Sequence, residues 1–279
     1  MRKINFALVI VVNKGNPNGD PLAGNRPRRD INGYGEISDV CIKRKIRNRL
    51  QDFGENILIT SKERTYDGLY SIAARVKAQK DLKEYGKKND LINFGKEACR
   101  LWADVRFFGQ VFAFKDKDTG NISTGIRGPV SIGLAKSLDV ISIEGIQITK
   151  SINNEEPQKG KKETDRDSAT MGMKFLVDHG AYVAYGTIFP ELARKTGFDE
   201  KDAELLKNAL MTIFENDASS TRPTGSMESK LYWWEPTSDK VNVSPPKVFR
   251  SLNIKAADEY PYYTCNPEKI EGIKLEIYE

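Results

Sequence analysis

Between positions 26 and 49 the chain carries eight Lys or Arg residues (26, 28, 29, 43, 44, 45, 47 and 49) against three acids, Asp30, Glu36 and Asp39. The local balance of +5 equals the net charge of all 279 residues, so the remainder is close to neutral. Guanidinium groups offer bidentate hydrogen bonds to phosphate oxygens and ammonium groups offer ionic ones, which suits this stretch to a nucleic-acid backbone. A solvated helix face, with arginines kept for solubility, is the alternative that charge alone leaves open.

Other residues raise other chemistries. His179, the only histidine, stands near Lys174, Tyr182 and Tyr185, groups that could cleave RNA by acid–base action on a 2′-hydroxyl. It falls in an expected strand, where a hydrogen-bonded structural histidine is the competing reading. Asn16, Asn18 and Asp20 alternate like the start of a calcium loop, but the glycine and the distal glutamate are misplaced and Pro21 intervenes. Gly125 to Gly128, around Arg127, and Thr224-Gly225-Ser226 could present backbone amides to phosphate, yet neither matches a P-loop. Trp233-Trp234 could stack on bases or pack a core. Cys41, Cys99 and Cys265 are widely spaced without a CxxC pair, so neither a disulfide framework nor structural zinc is expected, in keeping with a reducing cytoplasm. The apolar run Ile4 to Val12 is too short to span a bilayer and lacks a signal-peptide pattern, and a soluble intracellular protein is expected.

The elements that must position these residues follow from periodicity. Ile4 to Val12 is β-branched and apolar on both faces, which predicts a central strand. Asn16-Pro17-Asn18-Gly19-Asp20-Pro21 reads as a loop, and Asn32-Gly33-Tyr34-Gly35 as a second flexible stretch. Ser38 or Asp39 then caps a helix to about Asp52, ended by Gly54. Helical spacing puts Ile42, Ile46, Leu50 and Phe53 on one stripe, with Lys43, Arg44 and Arg47 as unpaired cations on another side and Lys45 and Arg49 flanking.

Beyond the basic helix we expect a short strand at 57–60, a polar lysine-rich insertion or satellite lobe at 62–93 with helix around 68–85, and a helix capped by Asp90 that passes into a strand over 105–114. Residues 123–130 read as a loop, and 140–143 and 146–152 as strands. The polar segment 153–168 reads as the tip of a long hairpin or a disordered loop, either a nucleic-acid-contacting finger or a solvated tip. An apolar stretch covers 171–188, and a patterned helix runs from Asp199 to near Asp217. A polar loop occupies 219–227, and strands are expected at 231–234, 248–254 and 270–278. The order fits an α+β fold with a β-α-β-β-α-β, ferredoxin-like sheet and long insertions.

Taken in order, NPNGDP (16–21), GNRPR (24–28), ISDVCIKRKIRNRL (37–50), DVRFFGQVF (104–112), TGIRGPVSI (124–132), SLD (137–139), TMGMKFLVDHGAYVAYGTI (170–188) and RPTGSM (222–227) carry a resemblance across most of the chain. They resemble the backbone subunit of type I CRISPR Cascade complexes, the repeated protein that coats guide RNA, with the I-C and I-B branches nearest. Asp178-His179-Gly180 departs from a "PYG"-like stretch of that family, and Leu22 from its aspartate.

The resemblance implies a modified RNA-recognition-motif sheet forming a palm (1–60, 106–149 and 171–279), a helical fingers insertion (61–105) and a β-hairpin thumb (150–170). It implies head-to-tail stacking of neighbouring copies along the guide, with the thumb wedging between paired segments of guide and target, and so favours the finger reading of 153–168. The RNA-contacting set expected on this basis is Lys43, Arg44 and Arg47, with Arg26, Arg28, Arg127 and Arg222, and further Ser38, Lys150, Arg166, Met171 and Ser226. Partners would be CRISPR guide RNA, a target DNA strand and other Cascade subunits, with no membrane, cofactor, metal or catalytic residue. The alternative is an endoribonuclease that processes precursor guide RNA through His179.

Overall fold

In the computed structural model the described residues are 1–116, 119–150 and 170–279. The first part runs β1 (Ile4–Gly15), β2 (Gly19–Asp20), β3 (Arg26–Pro27), β4 (Tyr34–Ile37) and α1 (Asp39–Asp52), then α2 (Ile72–Ala78), α3 (Lys80–Lys87), α4 (Leu91–Leu101) and α5 (Ala103–Phe108). The middle runs β5 (Gly109–Asp116), β6 (Gly120–Arg127), β7 (Val130–Ile132), β8 (Ala135–Val140), β9 (Ile143–Lys150) and β10 (Thr170–Ile188). There follow α6 (Pro190–Thr196), α7 (Glu200–Met211), β11 (Met227–Pro236), α8 (Pro245–Arg250), β12 (Ile254–Ala256), β13 (Tyr263–Cys265) and β14 (Ile273–Tyr278).

The main sheet is antiparallel, in the order β14-β11-β1-β10-β8-β4, with β7 and β9 also paired to β10. β1 is central, as its sequence predicts: Leu8 stands opposite Ala184 on one side and Leu231 on the other. The side-chain period of two explains why it is apolar throughout. Ile4, Phe6, Leu8, Ile10 and Val12 join one core with Ile42, Ile46 and Leu50 of α1 and Leu206, Ala209 and Leu210 of α7. Ala7, Val9 and Val11 join a second core on the opposite face with Val248 and Leu252. Trp233 and Trp234 point one to each core and are almost fully buried, so the tryptophan pair packs. Gly186 lies beneath Phe6, where an added Cβ would come within 2.1 Å of the ring.

A third core belongs to the insertion. Leu58, Val76, Leu82, Phe94, Ala98, Trp102 and Val105 close against Phe112 and Ile122 of the β5–β6 hairpin.

Several expectations are corrected. Residues 57–60 form no strand, because their backbone is satisfied by side chains: Arg75 Nη1 donates to the carbonyls of Ile57 (2.7 Å) and Leu58 (2.9 Å), and Asp104 accepts from the N–H groups of Leu58 and Ile59. The run expected as a strand over 105–114 divides at Gly109, whose φ of 79° ends α5 and starts β5. Residues 123–127, expected as loop, are strand β6. The strand expected at 248–254 starts instead within helix α8, begun by Pro245-Pro246, passes through a turn and becomes strand only at Ile254. Phe53 leaves the apolar stripe of α1; it is 38% exposed, with Arg49 over its ring. Among the described residues no helix is long and apolar enough to cross a membrane.

Candidate nucleic-acid interface

One end of the sheet, where β1 runs out, gathers most of the residues singled out from the sequence. The loop that follows β1 is built from its own side chains. Asn16 is buried and its Nδ2 donates to the Asn25 carbonyl (2.8 Å), while its backbone N–H donates to the Thr221 carbonyl (2.7 Å). Asn18 Oδ1 accepts from the Ser38 N–H (2.9 Å) and the Ser38 hydroxyl (3.0 Å). Ser38 Oγ in turn accepts from Cys41 N–H (3.2 Å) and caps α1. Asp20 accepts from Leu22 N–H and, at 3.3 Å, from Arg28. The three residues that alternate like a calcium loop thus fasten the loop to itself and to the helix start.

The second loop arrives from the other side. Asn13 N–H donates to the Ser226 carbonyl (2.9 Å), and Asp217 accepts from Arg222 Nε (3.0 Å) while also pairing with Lys45 of α1. Arg222 and Lys45 thus share Asp217, and the Arg28 N–H donates to the carbonyl of Asn18 (3.0 Å), whose side chain holds Ser38 at the start of α1; burial pushes the nearby Cys41 thiol up. Arg26 is exposed, its guanidinium 4.1 Å above the Phe175 ring of β10, and Arg29, three residues on, is exposed too. Arg26, Arg28, Ser38, Arg222 and Ser226 are therefore brought together.

Of these, Ser226 is the least accessible. It is buried, and its hydroxyl has no partner among the described residues.

The cations of α1 itself are not unpaired, contrary to expectation. Lys43 pairs with Asp39 (2.9 Å), and Arg44 donates to the Ile59 carbonyl (2.6 Å), with burial lowering its pKa. Arg47 Nε donates to Asp104 Oδ2 (2.9 Å), a carboxylate 1% exposed. Lys45 meets Asp217, and Arg49 reaches Asp52, Thr212 and Glu215. Apart from the Lys43–Asp39 pair within the helix, the physical reason is tertiary: α1 lies between the insertion and the end of α7, and each neighbour supplies acceptors to the cations facing it. Lys43 and Arg47 also lie over the Phe108 ring, at 6.0 and 5.1 Å. Arg127 belongs to this flank rather than to the loop cluster: it is exposed and pairs through its backbone with Gly109, the residue after Phe108.

β9 and β10 form a two-stranded arm, in register from Val177↔Ile143 to Thr170↔Lys150. The expected thumb tip and Arg166 lie outside the described residues, as do the side chains of Lys150 and Met171, whose backbones pair within the arm.

At the base of that arm sits a group that charge counting did not single out. His179 Nδ1 is 2.8 Å from Asp178 Oδ2, and its half-exposed ring stacks on Tyr262 at 4.5 Å. Lys14 pairs with Asp178 and with Glu144 (2.8 Å). Its hydrogen bond holds the Asp178 carboxyl below the usual range, and Asp178 in return raises Lys14. Lys14 and Tyr262 both adopt positive φ, at 53° and 66°. The sequence signal for Lys14 is weak, since one lysine after a long apolar strand looks like an ordinary strand end.

Comparison with known proteins follows this geometry. The chain matches the family model described as "CRISPR-associated protein Cas7" over residues 2–277. It is 30% identical over 236 residues to the "CRISPR-associated protein Cas7" of Haloferax volcanii, a match that takes in 78% of this chain and 65% of that relative's length. Among solved structures it is similar to a chain of a "CRISPR RNA-guided surveillance complex, pre-nicking", with a TM-score of 0.51 at 16% identity, covering 88% of this chain and 81% of that one. A second chain, from a "CRISPR RNA-guided surveillance complex", gives a TM-score of 0.48 at 16% identity, with 92% and 77% covered. The structural likeness is one of fold. The family match takes in all but the first residue and the last two, and the chain belongs to the Cas7 family of CRISPR-associated proteins.

Proposed function

We propose that the chain is a non-catalytic, guide-RNA-binding backbone subunit of a type I CRISPR complex. In this reading, copies stack head to tail along the guide and leave its bases available to a target DNA strand. The observation that carries it is the convergence of two loops on the first turn of α1, in a chain of this family. That convergence brings Arg28, bonded through its N–H to the Asn18 carbonyl, and Arg222, which shares Asp217 with Lys45, to the end of α1 capped by Ser38, with Arg26 of the same loop over Phe175.

Arginine forks and a helix start are suited to phosphates, which carry no sequence, so guide binding is expected to be sequence-independent. Lys43, Arg44, Arg47 and Arg127 line the adjoining flank as secondary contacts. Ser226 is assigned to support of its loop and the RNA path beside it, and Lys150, Arg166 and Met171 to a thumb at 150–170. The sheet is read as a ferredoxin-like, RNA-recognition palm, which the antiparallel order β11-β1-β10-β8 with α1 and α7 against one face supports. The chain works in the cytoplasm with other subunits of the complex, and an interface that does not close on itself yields a filament.

The test is a titration of nucleic-acid-free protein against end-labelled single-stranded RNAs of increasing length. Additional discrete mobility shifts as length grows, with intact RNA, are the expected result. A single length-independent shift would overturn ordered coating.

A second reading, endoribonuclease, is favoured by one observation: the imidazole of His179 is half exposed and held by Asp178, an arrangement able to move a proton. Shortened RNA in the same titration, abolished by His179→Ala with binding retained, would select it.

A further inference from the structure

At the far end of α1 from Ser38, roughly 20 Å away along a 14-residue helix, lies a concavity of about 620 Å³ between α4, α6 and the start of α7. Six cations line it against three carboxylates. The carboxylates are already engaged. Asp202 takes both arms of Arg106 at 2.8 Å, Asp199 accepts the N–H groups of Lys201 and Asp202 as helix cap, and Glu55 stands 3.7 Å from Arg106. Arg100 and Arg194 are exposed, each held by one carboxylate of its own helix, Glu97 and Glu191. Lys96, Lys195 and Lys201 are exposed and form no ion pair among the described residues. The wall also holds Thr196, 5% exposed, whose hydroxyl lacks a hydrogen-bond partner.

We infer that this bay is a second nucleic-acid site, which takes the sugar-phosphate backbone of a duplex without regard to sequence. Three unpaired ammonium groups, one from α4 and two from the consecutive helices α6 and α7, with two arginines at the rim, meet the requirement of a polyanion. The kind of polyanion follows from what is missing from the lining. No aromatic ring lines the bay among the described residues, whereas single strands are held by stacking their bases on such rings. No Asn or Gln lines it to read adenine edges, and its exposed cations are suited first to phosphates, which carry no sequence. Exposed cations over carboxylates that are already engaged fit a backbone whose bases are turned inward. The site does not rest on the guide-RNA reading, since its residues and its helix end are different.

The test measures binding of the full-length protein to a labelled mixed-sequence DNA duplex and to a single-stranded RNA, each over a salt series. Wild-type protein binds the duplex at about 50 mM salt, and the combined Lys96→Glu, Lys195→Glu and Lys201→Glu variant weakens that binding about tenfold or more. Its slope of log affinity against log salt is shallower by about 2.7, while single-stranded RNA binding is unchanged. A control of equal charge change, Lys240→Glu, Lys255→Glu and Lys269→Glu, which are exposed elsewhere, leaves duplex binding near wild type. Thermal melts confirm folding of both, and a Lys→Gln version of the bay triple, which adds no like-charge repulsion, must give the same direction of change. The inference is overturned if wild type does not bind duplex, if the bay variant binds as wild type, or if the control loses as much. Equal loss of single-stranded RNA by the bay variant overturns the duplex assignment. Failure of length-dependent RNA coating, by contrast, bears only on the guide-RNA reading.

Discussion

The arginines of the loop after β1 and the cations of α1 lie within one charged stretch of sequence but end in opposite circumstances. Arg26 is exposed and rests on an aromatic face, and Arg28 is half exposed against a single aspartate. Lys45, Arg47 and Arg49 have side chains at most 12% exposed, each bonded to acceptors from another part of the chain. Charge density along a sequence therefore does not measure charge available to a partner. A loop that satisfies its backbone with Asn and Asp leaves its arginines outside, whereas a helix packed on two sides spends its cations on its neighbours.

This contrast can be broken most severely at Asp104. Asp104→Ala leaves Arg47 and two backbone N–H groups without their acceptor, and we expect a loss of about 3–5 kcal/mol in urea unfolding. Replacing the pair together, as Arg47→Met with Asp104→Leu, should recover much of that loss. If it does not, the pair is more than a neutralised buried charge. A smaller cost is expected at Asp217, the shared acceptor of Lys45 and Arg222: Asp217→Asn should lose about 1.5–3 kcal/mol and weaken RNA binding by loosening the second loop, measured on one sample by melting and gel shift. Ser38→Ala removes the cap of α1 and one anchor of the loop, for about 1 kcal/mol. The smallest stability effect belongs to the loop. Arg26→Ala with Arg28→Ala should stay within about 0.5 kcal/mol of wild type, yet flatten the salt dependence of single-stranded RNA binding by about 1.4. Unchanged salt dependence in that folded variant would mean that the exposed arginines do not meet phosphates.

Much of this was legible from local pattern. The β-branched run of β1, the Ser38 cap, the Ile42–Ile46–Leu50 stripe and the helix begun by Asp199 all reflect forces within a few residues, and all stand as expected. What was not legible depends on distant partners. Nothing near Arg47 in sequence announces Asp104, 57 residues on, and nothing in residues 57–60 says that Arg75 will take the place of a neighbouring strand. The run over 105–114 misled because a continuous apolar and aromatic stretch reads alike as strand or buried helix, and only the backbone turn at Gly109 divides it. For the site, the stretch after β1 was legible as a loop and its Arg26 and Arg29 are exposed; the Lys43–Asp39 pair is local, but the partners of Lys45, Arg47 and Arg49 could be read only once the fold was known.

The clasp between α1 and the end of α7 also orders the making of the protein. Lys45 waits for a partner 172 residues later, and Arg49 for partners 163 and 166 residues later, while β1 cannot close on its second side until β11 has been synthesised. On the ribosome Lys45 and part of the Arg49 guanidinium therefore emerge without their distant acceptors until about three-quarters of the chain exists, and β1 stays unpaired until β10 is made and open on one side until β11 follows. Long-range closure of this kind slows folding and leaves an open sheet edge in the nascent chain. A polyanion encountered during that interval would compete with Asp217 and Glu215 for the same side chains, so in the nascent helix folding and the proposed RNA contact would draw on the same charges.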